Sequence, residues 1–162
     1  MSAIIQGPQL RSLLYGPQVV KKAQTPPNSG SSATLFTVTG GAVIVTLLLG
    51  RVSTALNGTT GAIALGMKPT GGTEETAGIA TAGVVGGAEI GTILTLSATT
   101  GGLASALIVS GKVAGNAAFT SLGSEFIANT GTIEITTSIA TMTGAIDWYL
   151  TYVPLDTGAS VS

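Results

Sequence analysis

The chain has 162 residues, a formal net charge of −1 and only 8% charged side chains, against roughly 25% in an ordinary soluble domain. It contains no Cys and no His, which excludes disulfides, thiolate chemistry, Ser-His-Asp or Cys-His catalysis, and zinc sites built from nitrogen or sulfur ligands. With a mean hydropathy of +0.57, the missing charge has two physical explanations: a membrane, or an outer surface covered by other protein.

The membrane explanation fails on length. The longest clean apolar run, Ala42 to Leu49, is interrupted by Thr46 and closed by Gly50, whereas a spanning helix needs about 20 apolar residues. Three Phe, three Tyr and one Trp are too few for the aromatic girdles of a membrane β-barrel. No basic segment followed by an apolar one opens the chain, so no cleaved signal peptide is expected. Burial against protein is the expectation.

In chain order, residues 1–33 differ in kind from residues 34–162. Four of the six prolines (Pro8, Pro17, Pro26, Pro27) and three of the six basic side chains (Arg11, Lys21, Lys22) lie in the first segment, which has no acid. Gly7-Pro8-Gln9-Leu10 recurs as Gly16-Pro17-Gln18-Val19, and each proline fixes its own φ and biases the preceding residue away from helix. The pattern predicts an extended N-terminal arm with apolar anchors Ile4, Ile5, Leu10, Leu13, Leu14, Tyr15, Val19 and Val20, followed by a linker over 25–33. Such an arm suits a tether that orders along a partner's surface. Three bases without interleaved aromatics are too sparse for a nucleic-acid surface.

Residues 34–162 read as short strands between turns. Leu35 to Thr39 alternates, with Phe36 and Val38 on one face. After Gly40-Gly41, the Ala42–Leu49 run reads as a strand buried on both faces. Arg51 to Leu56 continues to Asn57-Gly58, a hairpin-turn dipeptide that with Thr59 also matches a glycosylation sequon, the turn being the favoured reading. Gly61 to Met67 follows and stops at Pro69. Thr70 to Glu75 reads as a loop capping a short helical turn, and the glycines across 71–91 argue against any long helix. Gly91–Ser97 and Leu103–Ser110 are further strands. Thr132 to Thr136 is a half-buried strand, with Ile133 and Ile135 inward and Thr132, Glu134 and Thr136 outward. Ile146 to Val153 places Ile146, Trp148, Leu150 and Tyr152 on one face, and Pro154 ends it. The predicted core is Phe36, Val38, Ile133, Ile135, Ile146, Trp148, Leu150 and Tyr152. The whole predicts an all-β fold, an antiparallel sandwich or barrel of jelly-roll style carrying an arm. Its 25 threonines suit outward strand faces, and a flat Thr/Ala/Gly surface favours a symmetric oligomer.

Chemistry is sparse. The acids Glu74, Glu75, Glu89, Glu125, Glu134, Asp147 and Asp156 are scattered and read as solvated loops and strand faces, not as a facing carboxylate pair. Gly111-Lys112 lacks the flanking residues of a phosphate loop, Gly86–Gly91 lacks the dinucleotide spacing, and no calcium loop is present. No catalytic, cofactor-binding or metal site is expected.

The closing segment, Trp148, Leu150, Tyr152, Pro154, Leu155, Gly158, Ala159 and Val161, resembles the W-x-L-x-Y-x-P-L-x-x-G-A-x-V ending of a group of tailed-bacteriophage virion structural proteins. Phe36 to Val45, Gly50 to Leu56 and Gly131 to Thr136 resemble further strands of that group, so the resemblance covers most of 34–162. The glycine- and alanine-rich middle, 71–118, departs from the pattern, and the arm has no counterpart. In size and style the nearest members are capsid decoration (cement) proteins. The resemblance implies a virion protein on the outer surface of the capsid, a homotrimer bound to the major capsid protein and without enzymatic activity; the arm's own pattern supplies the expected capsid-binding residues, Leu10, Arg11, Leu13, Leu14, Tyr15, Val19, Val20, Lys21 and Lys22. A tail-fibre, spike or baseplate component binding a host receptor is the alternative, and a carbohydrate-binding or glycan-cleaving module is a second.

Overall fold

The computed structural model describes residues 16, 18–28, 30–57, 61–73, 75–97, 105–110, 125–138 and 141–162. These contain eleven strands and no helix: β1 Gln18–Gln24, β2 Ser32–Thr39, β3 Val43–Thr54, β4 Ala62–Pro69, β5 Glu75–Val84, β6 Ile93–Ser97, β7 Ser105–Ser110, β8 Phe126–Ala128, β9 Gly131–Thr137, β10 Ala145–Pro154 and β11 Ser160–Val161. The ladder runs β1-β10-β3-β6-β7-β5-β4-β9-β2-β11, with β8 also paired to β3. Every pairing is antiparallel except the short β5–β7 contact. The ladder folds over into two layers whose inner faces share one core: Val45, Leu94, Ile146, Trp148 and Leu150 from one, Phe36, Ile63, Leu65, Ile133 and Ile135 from the other. The protein is an all-β antiparallel sandwich.

All eight predicted core residues are buried, Phe36, Val38, Ile133, Ile135, Ile146, Trp148, Leu150 and Tyr152. Simple alternation misses Leu35, which is equally buried. Thr34 pairs with Glu134 and Phe36 with Ile133, so Leu35 is the extra residue of a β-bulge, and both it and Phe36 turn inward. A second bulge at Thr46, between the Val45–Tyr152 and Leu47–Thr151 pairs, shifts the buried positions of β3 from Val43 and Val45 to Leu48, Gly50 and Val52. The strand is therefore fully buried on one face only. Ile44, Leu47 and Leu49 are half-buried on the other, which corrects the expectation of burial on both.

Gly50 does not end this strand. It lies opposite Trp148 in register, and a Cβ there would meet Ile146 Cγ2 at 2.9 Å and two Trp148 ring carbons at 3.1 and 3.2 Å. Its missing side chain is the space that the indole ring fills.

Three further expectations change. Asn57-Gly58 does not join a hairpin: β3 and β4 are not neighbours, so the link crosses between layers. Asn57 instead clamps the 143 loop, its Oδ1 accepting from Thr143 N at 2.6 Å and its N–H donating to Thr143 O at 3.2 Å. The short helical turn expected after the Thr70–Glu75 loop is strand β5 instead, because pairing with β4 outweighs low intrinsic strand propensity. Glu134 is buried, not solvated. Strand β9 lies between β4 and β2, the Lys68–Gly72 turn walls that side, and Thr132 Oγ1 donates to Glu134 Oε1 at 2.7 Å.

Candidate interaction surfaces

The predicted arm divides. Leu10, Arg11, Leu13, Leu14 and Tyr15 lie outside the described residues. Val19, Val20, Lys21 and Lys22 lie in β1, whose main chain pairs with β10: Val19 with Leu150, Val20 with Tyr149 and Lys21 with Trp148. Val19 packs against the protein's own core, so it is an internal anchor, not a contact kept for a partner. The segment 25–28 also adheres to the body. Pro26 is buried, and the Pro27 carbonyl accepts from Thr137 Oγ1 at 2.6 Å. Strand β2 begins at Ser32, inside the segment read as linker.

β1 ends the ladder, and an end strand offers main-chain groups to any passing chain. Its register shifts between Lys21 and Gln24, and Ala23 stands at φ 28°, a backbone region that non-glycine residues seldom occupy. The Ala23 N–H donates to Asp147 Oδ1 at 2.8 Å. A bulge on a terminal strand is a device that blocks edge-to-edge association.

At the other end of the ladder, β11 pairs with Val38 and Thr39, and Thr37 and Ser162 exchange hydrogen bonds at 2.8 and 3.0 Å. The chain reaches that position through a turn held by Asp156, whose Oδ2 accepts from Ala42 N at 2.7 Å. Gly40 and Gly41 face this turn at φ 74° and 142°. Side chains there would strike Gly158 O and Asp156 Cβ, so the two glycines let the C-terminal segment lie against the β2–β3 turn.

Five large apolar residues among those described are exposed: Ile127 at 61%, Ile90 at 58%, Val84 at 50%, Leu155 at 49% and Val153 at 42%. They fall into two groups. Ile44 pairs with both Ile127 and Val153, and Leu155 N donates to Ala42 O, so Ile127, Val153 and Leu155 share the end of the sheet where β3 begins. Val84 and Ile90 flank the loop at the opposite end, where Gly91 N donates to Val52 O and Leu56 N to Ala88 O. From Ile44 to Val52 is about 26 Å at the usual strand rise. The sequence held a signal for both groups. Phe126-Ile127-Ala128 and Val84-Val85 are consecutive apolar residues in or beside strands, and a period of two forces one of each pair outward.

An open recess of about 610 Å³ is lined by Lys68, Pro69, Thr70, Gly71, Gly72, Gly131, Thr132 and Glu134. It holds one carboxylate, where glycosidic cleavage uses two. Among the described residues no cluster of three or more acids that could hold a metal ion is present. Compared with protein-family models, curated proteins and solved structures, the chain has no match.

Proposed function

We propose that this protein is a non-enzymatic decoration (cement) protein of a tailed-bacteriophage capsid, binding as a homotrimer to the outer surface of the shell formed by the major capsid protein. The observation that carries the reading is where β1 begins. Gln18 pairs with Thr151 and Gly16 lies against the Tyr152 carbonyl, so β1 begins beside the C-terminal end of β10. The segment before β1 carries Ile4, Ile5, Leu10, Leu13, Leu14, Tyr15 and Arg11. Fifteen residues reach at most about 50 Å when extended, enough to cross onto a neighbouring subunit. Arm anchors bury against the shell, and the positive charge of the arm meets acidic capsid surface. Three arms on one trimer raise one another's effective concentration and give slow release without strong individual contacts.

The test is deletion of residues 1–15, which spares β1. A deletion reaching residue 24 would strip the edge from β10 and confound the result. The truncated protein is expected to keep its oligomeric mass and to lose binding to purified capsids in co-sedimentation. Undiminished binding would refute the strap. Copy number in purified virions separates the shell from the tail: hundreds per particle are expected, and a handful would move the protein to a fibre, spike or baseplate.

A further inference from the structure

We propose that copies of this chain associate head to tail, the Ile127–Val153–Leu155 end of one seated on the Val84–Ile90 end of the next. The inference rests on the self-association in the reading above and not on the shell. The large exposed apolar side chains among the described residues form two unlike groups, one at each end of strand β3. A single flat partner cannot cover both. A second copy covers one cluster with the other, and because the surfaces differ the contact is heterologous, the kind that makes a ring where its rotation closes and a filament where it does not.

Charge agrees with this pairing. Glu125, exposed, adjoins Ile127 at the first end. Arg51, exposed, stands opposite Ile93 beside the second. The other acid at that end, Glu89, is already engaged within its own chain, and Asp147, opposite Arg51, already accepts from Ala23 N. Seating one end on the other brings Glu125 of one copy to Arg51 of the next. The rest of the surface offers little competition. Only 8% of the chain's residues are charged, against roughly 25% in an ordinary soluble domain. Edge pairing through β1, the obvious alternative route, is blocked by the bulge at Ala23.

The absence of cysteine gives a clean background for the test. Ile127→Cys and Ile90→Cys are made separately, at exposed positions, and their folding is checked by circular dichroism. Wild type is expected to run as an oligomer by native mass spectrometry. Under mild oxidation each variant alone should stay at the 15.9 kDa chain mass on a non-reducing gel, and the mixture should yield a covalent dimer. A wild-type monomer overturns the proposal. So does a dimer formed by either variant alone as readily as by the mixture, or no dimer in the mixture. A capsid-binding assay on Ile127→Asp and Ile90→Asp separates this from the shell reading. Loss of oligomer in both, with residual weak capsid binding through the arm, supports the inference. Loss of capsid binding in Ile127→Asp with both oligomers intact assigns that end to the shell and overturns it.

Discussion

Replacing Gly50 with alanine should destabilise the protein through a single contact. Ile146 and Trp148 have no exposed surface, and the new methyl would stand 2.9 Å from Ile146 Cγ2 and 3.1 Å from Trp148 Cζ3. Neither neighbour yields cheaply. Ile146 is stiff at χ1, and the indole ring is held between the two layers of the core. The backbone at Gly50 is ordinary strand, so alanine carries no conformational penalty and restricts the unfolded chain, a gain of about 0.4–1 kcal/mol. Overpacking costs about 1–3 kcal/mol. The net expectation is a loss of about 1–2 kcal/mol. With a urea m-value of about 2 kcal/mol/M, the unfolding midpoint falls by about 0.5–1 M when measured at fixed protein concentration. In a Trp148→Leu background the same substitution should cost at least ~0.5 kcal/mol less, because one of its two obstacles is gone. A Gly50→Ala protein as stable as wild type, or an identical cost in both backgrounds, would refute the account.

Asp156→Ala removes the acceptor of the Ala42 N–H and should cost about 1 kcal/mol, with faster amide exchange at Ala42 and along β11. Unchanged exchange there would show that the turn holds without the carboxylate. Asp147→Ala frees the Ala23 N–H at its strained backbone. Global stability should fall by less than about 1 kcal/mol for this exposed contact, while limited proteolysis between residues 18 and 28 accelerates; equal cleavage rates would count against the anchoring role of Asp147. Ile135→Ala opens a void between β9 and the opposing layer and should cost about 2–5 kcal/mol, read as a lowered denaturation midpoint. A cost below ~1 kcal/mol would mean that the site collapses freely.

The strand pattern was legible where one face is apolar and the other is not. Ile133 and Ile135, and the Ile146–Tyr152 series, carry their burial in their spacing. Leu35 and the phase change at Thr46 were not legible, because a bulge inserts one residue without altering composition. A carboxylate in an alternating strand is usually solvated, so spacing alone predicts an exposed Glu134. Its burial comes from a turn more than sixty residues earlier in the chain. Asn57-Gly58 has the local chemistry of a hairpin, yet the strands on either side pair elsewhere. For the interaction surfaces, the contrast between arm and body was plain in composition. That β1 belongs to the sheet was not, since Val19 and Val20 satisfy an extended strap and an edge strand equally well.

By itself, the sequence determines an all-β chain: alternating apolar residues, turn dipeptides and β-branched side chains act within a few residues of one another, and they allow no other class. It also removes imidazole and thiolate chemistry, because those side chains are missing. Only the tertiary structure decides which strands are neighbours, that β1 closes one edge with its bulge tied to Asp147, and that the exposed apolar residues gather at two opposite ends. Those outcomes depend on hydrogen bonds and contacts between residues far apart in the chain, such as Ala23 with Asp147 and Ala42 with Asp156. Local preference is silent about such pairs, and the closure of the two layers around Trp148 selects them.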